Sequence, residues 1–594
     1  MSGKTYLVTM MFGPVQGFIA AARRTRDLWF GSWLLSEASK AGAKGLVDLA
    51  SEGKAEVELI FPAVTDPSKL DPKSELSVAN KIVARVVTDN PADCVAAAKD
   101  AATKRWEQMA SDCLAKFGKS YQTYIDIDVW KDQVTDMVEC YGAWVELGQE
   151  YGESLERLNV LLNARKATRN FRPAAVKGEA RGYGLWKSSL DGARESVLKS
   201  EIRDDMRKRF DHVRKRFGIG AGERLEHLDT PGLVKRVLGQ SRPFAALARV
   251  ACDPWIQLVT DKASDLFGQL CDCHDRLVRS GLVSRSREYT VFPYDGQLVY
   301  DFRLVEVQRK PDTYLFLRER KLLERLEAVL QAIKDRKIPK PEPYVALLLA
   351  DGDRMGRFLS HKPTLGQHQD FHKNVSSKLA DFATMAPQSV KKHSGQCVYA
   401  GGDDVLAFLP AARALGCAEE LARIFEKMMA AVAPEVAAAQ RPTFSVGLAF
   451  GHIMTPLSTL RARAKDAERA AKEKGEGKKD APHLQPRNAL GVVIAPRSGA
   501  PLALRGRWDD TVGQVFEDRR GLAARLDYWA EQFAADVSRE PSTDPSTENS
   551  EGNEPTKKPV LPDRAAYQLR ELAHELALVP EALQRGTAIG SSQR

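Results

Sequence analysis

Tyr344-Val-Ala-Leu-Leu-Leu-Ala350 runs directly into Asp351-Gly-Asp-Arg-Met-Gly356, and further on Gln396-Cys-Val-Tyr-Ala400 passes through Gly401-Gly-Asp-Asp404 into Val405-Leu-Ala-Phe-Leu409. Short apolar runs bounded by Gly and Asp read as buried strands, and Gly-Gly-Asp-Asp between two of them reads as a hairpin turn. Around them the sequence gives a helical region to about Met385, a helix at about Cys417–Val432, a strand Thr443–Phe450, a helix at about Leu457–Lys474 and a strand Ala489–Ala495. The first six elements run β-α-β-β-α-β, the ferredoxin-like order. In that order the first and third strands are central neighbours, and the hairpin turn lies at the end where the first strand finishes. Asp351 is therefore expected beside Asp403 and Asp404.

Carboxylate oxygens gathered from two such places are what Mg²⁺ or Mn²⁺ prefers. Two ions held about 4 Å apart support polymerase-like chemistry, in which one activates a ribose 3′-hydroxyl and the other neutralises the departing pyrophosphate. Gly352, Gly356, Gly401 and Gly402 would let the backbone approach a triphosphate, and Lys472 is a counter-charge for it. Gly-Gly-Asp-Asp alone is equally a good turn, and Asp-Gly-Asp a good helix start. Their joint placement at matching strand ends is what favours the site.

Upstream, Thr5-Tyr-Leu-Val-Thr-Met-Met-Phe12 is β-rich, Gly13-Pro14 turns the chain, and helices follow from about Val15 and through Trp33, Leu34 and Leu35. With the strand Val57–Phe61 and helical stretches at about Ala92–Lys116 and Ile125–Leu162, this makes an α+β unit with a helical extension over residues 1–164. Residues 165–340 form a basic, mainly helical insert, with a strand-like Glu288–Phe292 and a helix over Thr313–Arg336 that Pro339-Lys-Pro-Glu-Pro343 ends. The second α+β unit occupies 341–503. Residues 504–594 read as a helical C-terminal domain, with helices at about Thr511–Val537 and Arg564–Gln584 and a polar insert, too hydrophilic to order itself, at about 538–562.

The length of 594 residues suggests about three to five domains. No apolar run reaches the roughly twenty residues of a membrane-spanning helix. The N-terminus shows no signal-peptide pattern, and eight irregularly spaced cysteines read as reduced thiols, so a cytoplasmic location is expected. The net charge is +9, and Arg165–Arg242 holds twenty Lys/Arg against ten Asp/Glu. That stretch is either a polyanion-binding surface or a solvated helical face whose charges alternate.

The sequence resembles the large Palm-domain subunit of type III-B CRISPR effector complexes, the Cas-ten type subunit of the Cmr complex. The resemblance is carried by Gly13-Pro-Val-Gln-Gly-Phe-Ile19, Arg26-Asp-Leu-Trp-Phe-Gly-Ser-Trp-Leu-Leu-Ser36, Asp351–Gly356, Tyr399–Asp404, Ser445–His452, the Ala-rich helix to Lys472, and Asn488–Ile494 with Arg497-Ser498-Gly499. It implies two ferredoxin-like Palm domains, at 1–164 and 341–503, in a complex with other effector subunits, guide CRISPR RNA and target RNA. Target RNA would switch on synthesis of cyclic oligoadenylate from ATP. Asp351, Asp403 and Asp404 would hold two metal ions, and Gly401, Gly402, Asp353 and Lys472 would line the donor nucleotide, with Ser498 nearby. Gly13, Gln16 and Arg23 of the first Palm would help hold the acceptor.

Two departures from the family pattern carry expectations. The first Palm starts near residue 4, which leaves no room for an N-terminal HD nuclease, and His274-Asp275 lacks the further histidines of such a site; DNA cleavage is not expected. Ser188 and Asp191 stand where a zinc knuckle would have its first Cys pair, the second pair is missing from Gly222–Arg236, and Cys271-Asp-Cys273-His274 is too crowded to replace it, so zinc is not expected. Two alternatives stay open: AMP transfer from ATP to another adenosine acceptor such as S-adenosylmethionine, and an architectural subunit with an inactive Palm. A stand-alone diguanylate cyclase fits less well, because the turn reads Gly-Gly-Asp-Asp and the N-terminal text would go unexplained.

Overall fold

The computed structural model of the chain describes residues 3–168, 186–199, 226–240, 244–286, 288–309, 317–359, 368–434, 436–473, 485–497 and 499–509. Ser498 and nearly all of the expected C-terminal helical domain lie outside these residues, as do most of the basic stretch Arg165–Arg242 and the 222–225 part of the knuckle region.

Two sheets organise the described residues. In the first, β1 (Lys4–Gly13), β2 (Glu56–Phe61), β3 (Lys81–Thr88) and β4 (Glu139–Glu146) lie in the order β2-β3-β1-β4, every neighbouring pair antiparallel. Helices Thr25–Ser51 and Pro91–Ala115 cover one face around Val8, Met10, Phe12, Ile82 and Ala98. The second sheet contains β5 (Tyr344–Asp353), β6 (Gln396–Gly401), β7 (Asp404–Pro410), β8 (Thr443–His452), β9 (Ala489–Ala495) and β10 (Leu502–Arg507), in the order β10-β9-β8-β5-β7-β6. β5 is antiparallel to both β7 and β8, and β9 joins β8 in parallel.

β5 is central and buried on both sides, which is why its sequence is almost continuously apolar rather than alternating. Helices His368–Lys392 and Ala414–Val432 cover one face around Phe382, Phe425 and Phe444. The other face shares a core with the insert helices Leu247–Lys262, Ser264–Ser280 and Leu317–Asp335 and with helix Leu457–Lys472. The insert thus completes the core of the second unit. Helix Leu457–Lys472 buries Leu457, Leu460, Ala464, Ala467 and Ala471, one stripe at helical spacing. Its small residues bring its backbone so close to β8 and β9 that a Cβ at Gly447 would lie 2.3 Å from Glu468 N and one at Gly491 2.0 Å from Ala467 O.

Three expectations are corrected. The single helical stretch Ile125–Leu162 is in fact helix Ile127–Thr135, strand β4 and helix Tyr151–Ala167. Glu139-Cys-Tyr-Gly-Ala-Trp-Val-Glu146 is β-favouring, with Ala143 and Val145 turned inward and Trp144 and Glu146 outward, while Gly142 would weaken a helix. Glu288–Phe292 forms no strand: its neighbourhood contributes only an isolated bridge between Arg285 and Tyr294, and Phe292 is buried against His274. At Lys235 and Arg236 the basic stretch offers no surface charge. Lys235 Nζ is buried against the carbonyls of Phe18 and Ala21, and Arg236 forms a buried ion pair with Asp27 at 2.8 Å.

Candidate active site in the cleft between the two sheets

The strand register delivers the first carboxylates. Ala350 pairs with Val405 across β5 and β7, so Asp351, the next residue, falls beside Asp404, the first residue of β7. Gly401 pairs with Asp404, leaving Gly402 and Asp403 as a two-residue turn. Gly402 has φ +66°, the positive value that a type II′ hairpin places on its first central residue, and only glycine takes it without strain. Oxygens of Asp351, Asp403 and Asp404 come within 4.8 Å of one another, the one group among the described residues with the makings of a metal site.

Gly352 has a use that its sequence context does not suggest. A Cβ there would sit 2.8 Å from both Cβ and Oδ2 of Asp403 and 3.0 Å from Phe425. The missing side chain makes room for the Asp403 carboxylate. Gly356 has open space around its Cα.

Asp353 continues β5 by one more alternation but is not part of the cluster. It is 1% exposed, and its oxygens accept hydrogen bonds from Ser445 Oγ at 2.8 and 2.9 Å, Thr443 Oγ1 at 2.9 Å and the Asn488 amide at 3.0 Å. It fastens the end of β5 to β8 and to the start of β9. Lys472, at the end of its helix, pairs with Asp351 and, at 2.7 Å, with Glu468.

The electrostatics are those of a site short of positive charge. Burial and then the charge of Asp351 push Asp403 up to about 6. Asp404 is pushed up to about 8, by burial first and then by a hydrogen bond to Asp351 and that residue's charge. The Tyr399 hydroxyl, itself shifted well upward by burial and by the neighbouring carboxylates, bonds to Asp404. Burial opposes the charge on Lys472, yet its bonds to Asp351 and Glu468 prevail and raise its pKa. One ammonium cannot neutralise three clustered carboxyls, and a divalent cation on their oxygens would relieve the repulsion.

The cluster stands at a cleft of about 790 Å³ walled by both sheets. The second unit contributes Leu347, Leu349, Asp351, Tyr399, Gly401 and Asp404, and the first contributes Gly13, Gln16, Ser36, Asn80 and Tyr141. Gly13 and Gln16 therefore face the carboxylate wall, whereas Arg23 is exposed and does not line this cleft. Sequence reading missed Arg461, Lys465 and Glu468, which line the cleft from the helix that carries Lys472. Their spacing of three and four residues, a polar stripe one position on from the buried Leu460, Ala464, Ala467 and Ala471, was the available signal. Lys166, from the end of helix Tyr151–Ala167, had none.

The tempting Cys-His group is a piece of core. His274 is fully buried, its Nδ1 donates to the Leu270 carbonyl at 2.8 Å, and its ring packs on Phe292 and Tyr294. Burial raises the Cys271 and Cys273 thiols, which disfavours the thiolate a metal needs. In the knuckle region, Ser188 Oγ donates to Asp229 at 3.2 Å and Asp191 accepts from the Ala193 amide at 2.9 Å, a hydrogen-bonded turn.

Three convergent carboxylates at a glycine hairpin on the second sheet are the features of a palm, and the comparisons with known proteins agree for that unit. Residues 344–482 match the family described as Cas10/Cmr2, second palm domain, and residues 7–111 match the CRISPR-associated protein Cmr2, N-terminal family. Two stretches of the chain, 7–111 and 344–482, are thus similar to Cas10/Cmr2 large subunits. It is 26% identical over 221 residues to the CRISPR system Cmr subunit Cmr2 of Pyrococcus furiosus, a stretch that is 33% of this chain and 24% of that relative's length. In fold it is similar to a chain of the cryo-EM structure of type III-B Cmr-beta in the apo state (TM-score 0.57, 13% identity, 84% of this chain and 70% of that one). It is also similar to one in Cmr-beta bound to cognate target RNA (TM-score 0.58, 14% identity, 100% of this chain and 79% of that one). No helix among the described residues is long and apolar enough to cross a membrane.

Proposed function

We propose that this chain is the large subunit of a type III-B CRISPR RNA-guided effector complex, and that its second palm is a target-RNA-activated nucleotidyltransferase making cyclic oligoadenylate from ATP. The observation that carries the reading is the convergence of Asp351, Asp403 and Asp404 within 4.8 Å, at a cleft to which both sheets contribute walls. The similarity to Cmr-beta chains supports the assembly, with other subunits, guide RNA and target RNA as partners.

The donor set is all oxygen, which suits Mg²⁺ or Mn²⁺, and the raised pKa values of Asp403 and Asp404 mark a site that favours a bound cation. When bound, two such ions would supply an activated 3′-hydroxyl and charge neutralisation on the leaving pyrophosphate. The protein's own part is positioning. Asp351 is fixed by the β5–β7 register, Asp403 by the turn and the space at Gly352, and Asp404 by Tyr399. Lys472 holds Asp351 in place and gives a phosphate a nearby cation. Asp353 acts as a fastener beneath the site. The wall at Gly13 and Gln16 faces the acceptor, so that both nucleotides lie in one cleft.

The test is mass spectrometry of products after the assembled complex is incubated with ATP, Mn²⁺ and matched target RNA, with and without S-adenosylmethionine. Cyclic oligoadenylate that disappears in Asp403→Asn/Asp404→Asn, with assembly intact, is the expected result. Adenylylated S-adenosylmethionine would shift the reading to a different acceptor, and synthesis surviving the double substitution would refute the two-metal site.

A further inference from the structure

The first-unit wall of the cleft is thin. Gly13, Val15, Gln16 and Ile19 line the cleft, while Pro14, Gly17, Phe18 and Ala21 line a second cavity of about 380 Å³ behind them. The two sets alternate at helical spacing, so the short helix Gln16–Ala20 and its flanks form a partition with open space on both sides. Its turn is closed by the amides of Ile19, Ala21 and Ala22, which donate to the Val15, Gly17 and Ala20 carbonyls at 2.9, 3.0 and 2.7 Å. A helix this short gains little from cooperativity, and its last carbonyls need partners from elsewhere.

Two cations from distant segments supply those partners. Lys235, on the insert helix Thr230–Gln240, donates from Nζ to the carbonyls of Phe18 and, at 3.1 Å, Ala21, and lies 3.9 Å over the Phe18 ring. Arg461, on helix Leu457–Lys472, donates to the Ala20 carbonyl at 3.1 Å. Lys235 lines the rear cavity and Arg461 the cleft, so the helix end is gripped from both sides. Among the described residues, neither cation has a carboxylate within ion-pair distance. Lys235 is 1% exposed, and burying an ammonium without an ion pair is unfavourable. Gly31 leaves it room, since a Cβ there would sit 3.0 Å from Lys235 Cε. The Lys235 stem packs no better than a methionine would; what the ammonium adds is charge-assisted bonding to two carbonyls.

We propose that Lys235 and Arg461 are positioning residues for the acceptor nucleotide, gripping the end of helix Gln16–Ala20 so that Gly13 and Gln16 are held in place opposite the carboxylates. This rests on the function proposed above. Lys235 stands behind the wall and lines no part of the cleft, so it acts on a nucleotide only through the wall. The donor side, built from the second unit's own strands, does not depend on the grip. The grip does depend on charge. Burial pushes Lys235 down to about 8, against the pull of Asp229, Asp27 and Asp191, and Arg194 adds to the fall; Asp136 and Glu139 share the rear cavity. Above that pH a neutral amine holds the carbonyls more weakly.

The experiment separates the two nucleotides chemically, in the assembled complex with Mn²⁺ and matched target RNA. 3′-Deoxy-ATP has no 3′-hydroxyl and can only donate, whereas AMP has no leaving group and can only accept. The AMP 3′-oxygen attacks the α-phosphorus of 3′-deoxy-ATP, its proton passes to solvent and pyrophosphate leaves, giving one dinucleotide. In Lys235→Met and in Arg461→Met the KM for AMP should rise about fivefold or more, with kcat and the KM for 3′-deoxy-ATP within about twofold of wild type. Between pH 7 and 9 the ratio of the AMP KM to the 3′-deoxy-ATP KM should climb in wild type and stay flat in Lys235→Met. An AMP KM unchanged in both variants, the two KM values rising together, or a ratio that climbs equally in Lys235→Met overturns the proposal. If Lys235→Met does not assemble, Arg461→Met decides by the same KM split. Hydrogen exchange on the full chain needs no turnover: the Ile19, Ala21 and Ala22 amides should exchange about tenfold faster in either variant, with Val405–Leu409 unchanged, and the absence of such local quickening also overturns the grip. If exchange quickens there while the wild-type complex joins no nucleotides, the grip stands and the nucleotidyltransferase reading falls.

Discussion

Replacing Asp403 by Asn removes one charge from the cluster while keeping the side chain's shape, and the structure sets both sign and size of the effect. The Asp403 carboxyl is raised from 3.8 to about 6, so the folded chain binds a proton that the unfolded chain has released across that window. Stability from this group is therefore greatest below about pH 4, falls as pH rises towards 6, and stays low above it. The shift of about two units corresponds to a ceiling of about 3 kcal/mol. The cleft admits water, and the carboxyls titrate as a coupled group, so we expect about 1–2 kcal/mol of relief. In EDTA at pH 8, Asp403→Asn should unfold a few degrees higher than wild type, by about 2–4 °C per kcal/mol, and at pH 4 the two should coincide. Mn²⁺ should raise the wild-type transition at pH 8 and leave the variant nearly unmoved. The assay is thermal unfolding across pH with and without Mn²⁺. A variant less stable than wild type at pH 8, or a difference independent of pH, would refute the claim that these carboxylates are held in mutual repulsion.

Gly352→Ala should displace Asp403, costing about 1–3 kcal/mol of stability and weakening Mn²⁺ binding, measured by urea unfolding and calorimetry. Asp353→Ala should cost about 3 kcal/mol or more, because it strips the partners from Ser445, Thr443 and the Asn488 amide. It should behave as a folding mutant in urea, and a loss confined to metal affinity would contradict its role as a fastener. Gly491→Ala forces helix Leu457–Lys472 away from β9, and its stability loss should be accompanied by weaker Mn²⁺ binding because Lys472 moves with the helix. His372, depressed to about 4 by burial, bonds through Nδ1 to Tyr151 Oη at 3.1 Å and through Nε2 to the Leu359 carbonyl at 2.6 Å. Its neutral form is the one folding favours, so its contribution is complete above about pH 6.5 and is lost as pH falls towards 4. His372→Gln should flatten that part of an acid unfolding curve.

The second unit was legible because its strands are short, apolar and bounded by Gly and Asp, and because the β-α-β-β-α-β order fixes which strand ends meet. Asp351, Asp403 and Asp404 could be placed together on that basis without coordinates. β4 was hidden because Cys140, Tyr141 and Gly142 are neither cleanly alternating nor strongly apolar and lie between two true helices. Chain spacing also could not separate Asp351 from Asp353: two positions apart on one strand, they differ only in what β8 and the Asn488 amide present to them.

The sequence by itself determined the class of fold, the three carboxylates and the turn that carries two of them, because strand periodicity, turn chemistry and element order are local properties. The tertiary structure alone decided that Asp353 is a fastener, that Gly352 makes room for Asp403, and that Lys235 and Arg236 are spent inside the protein. It alone brought Arg461, Lys465 and Lys166 into the cleft with Gly13 and Gln16. Those outcomes depend on which groups meet across distant segments, and the desolvation and charge pairing that fix their roles exist only once the two units have packed together.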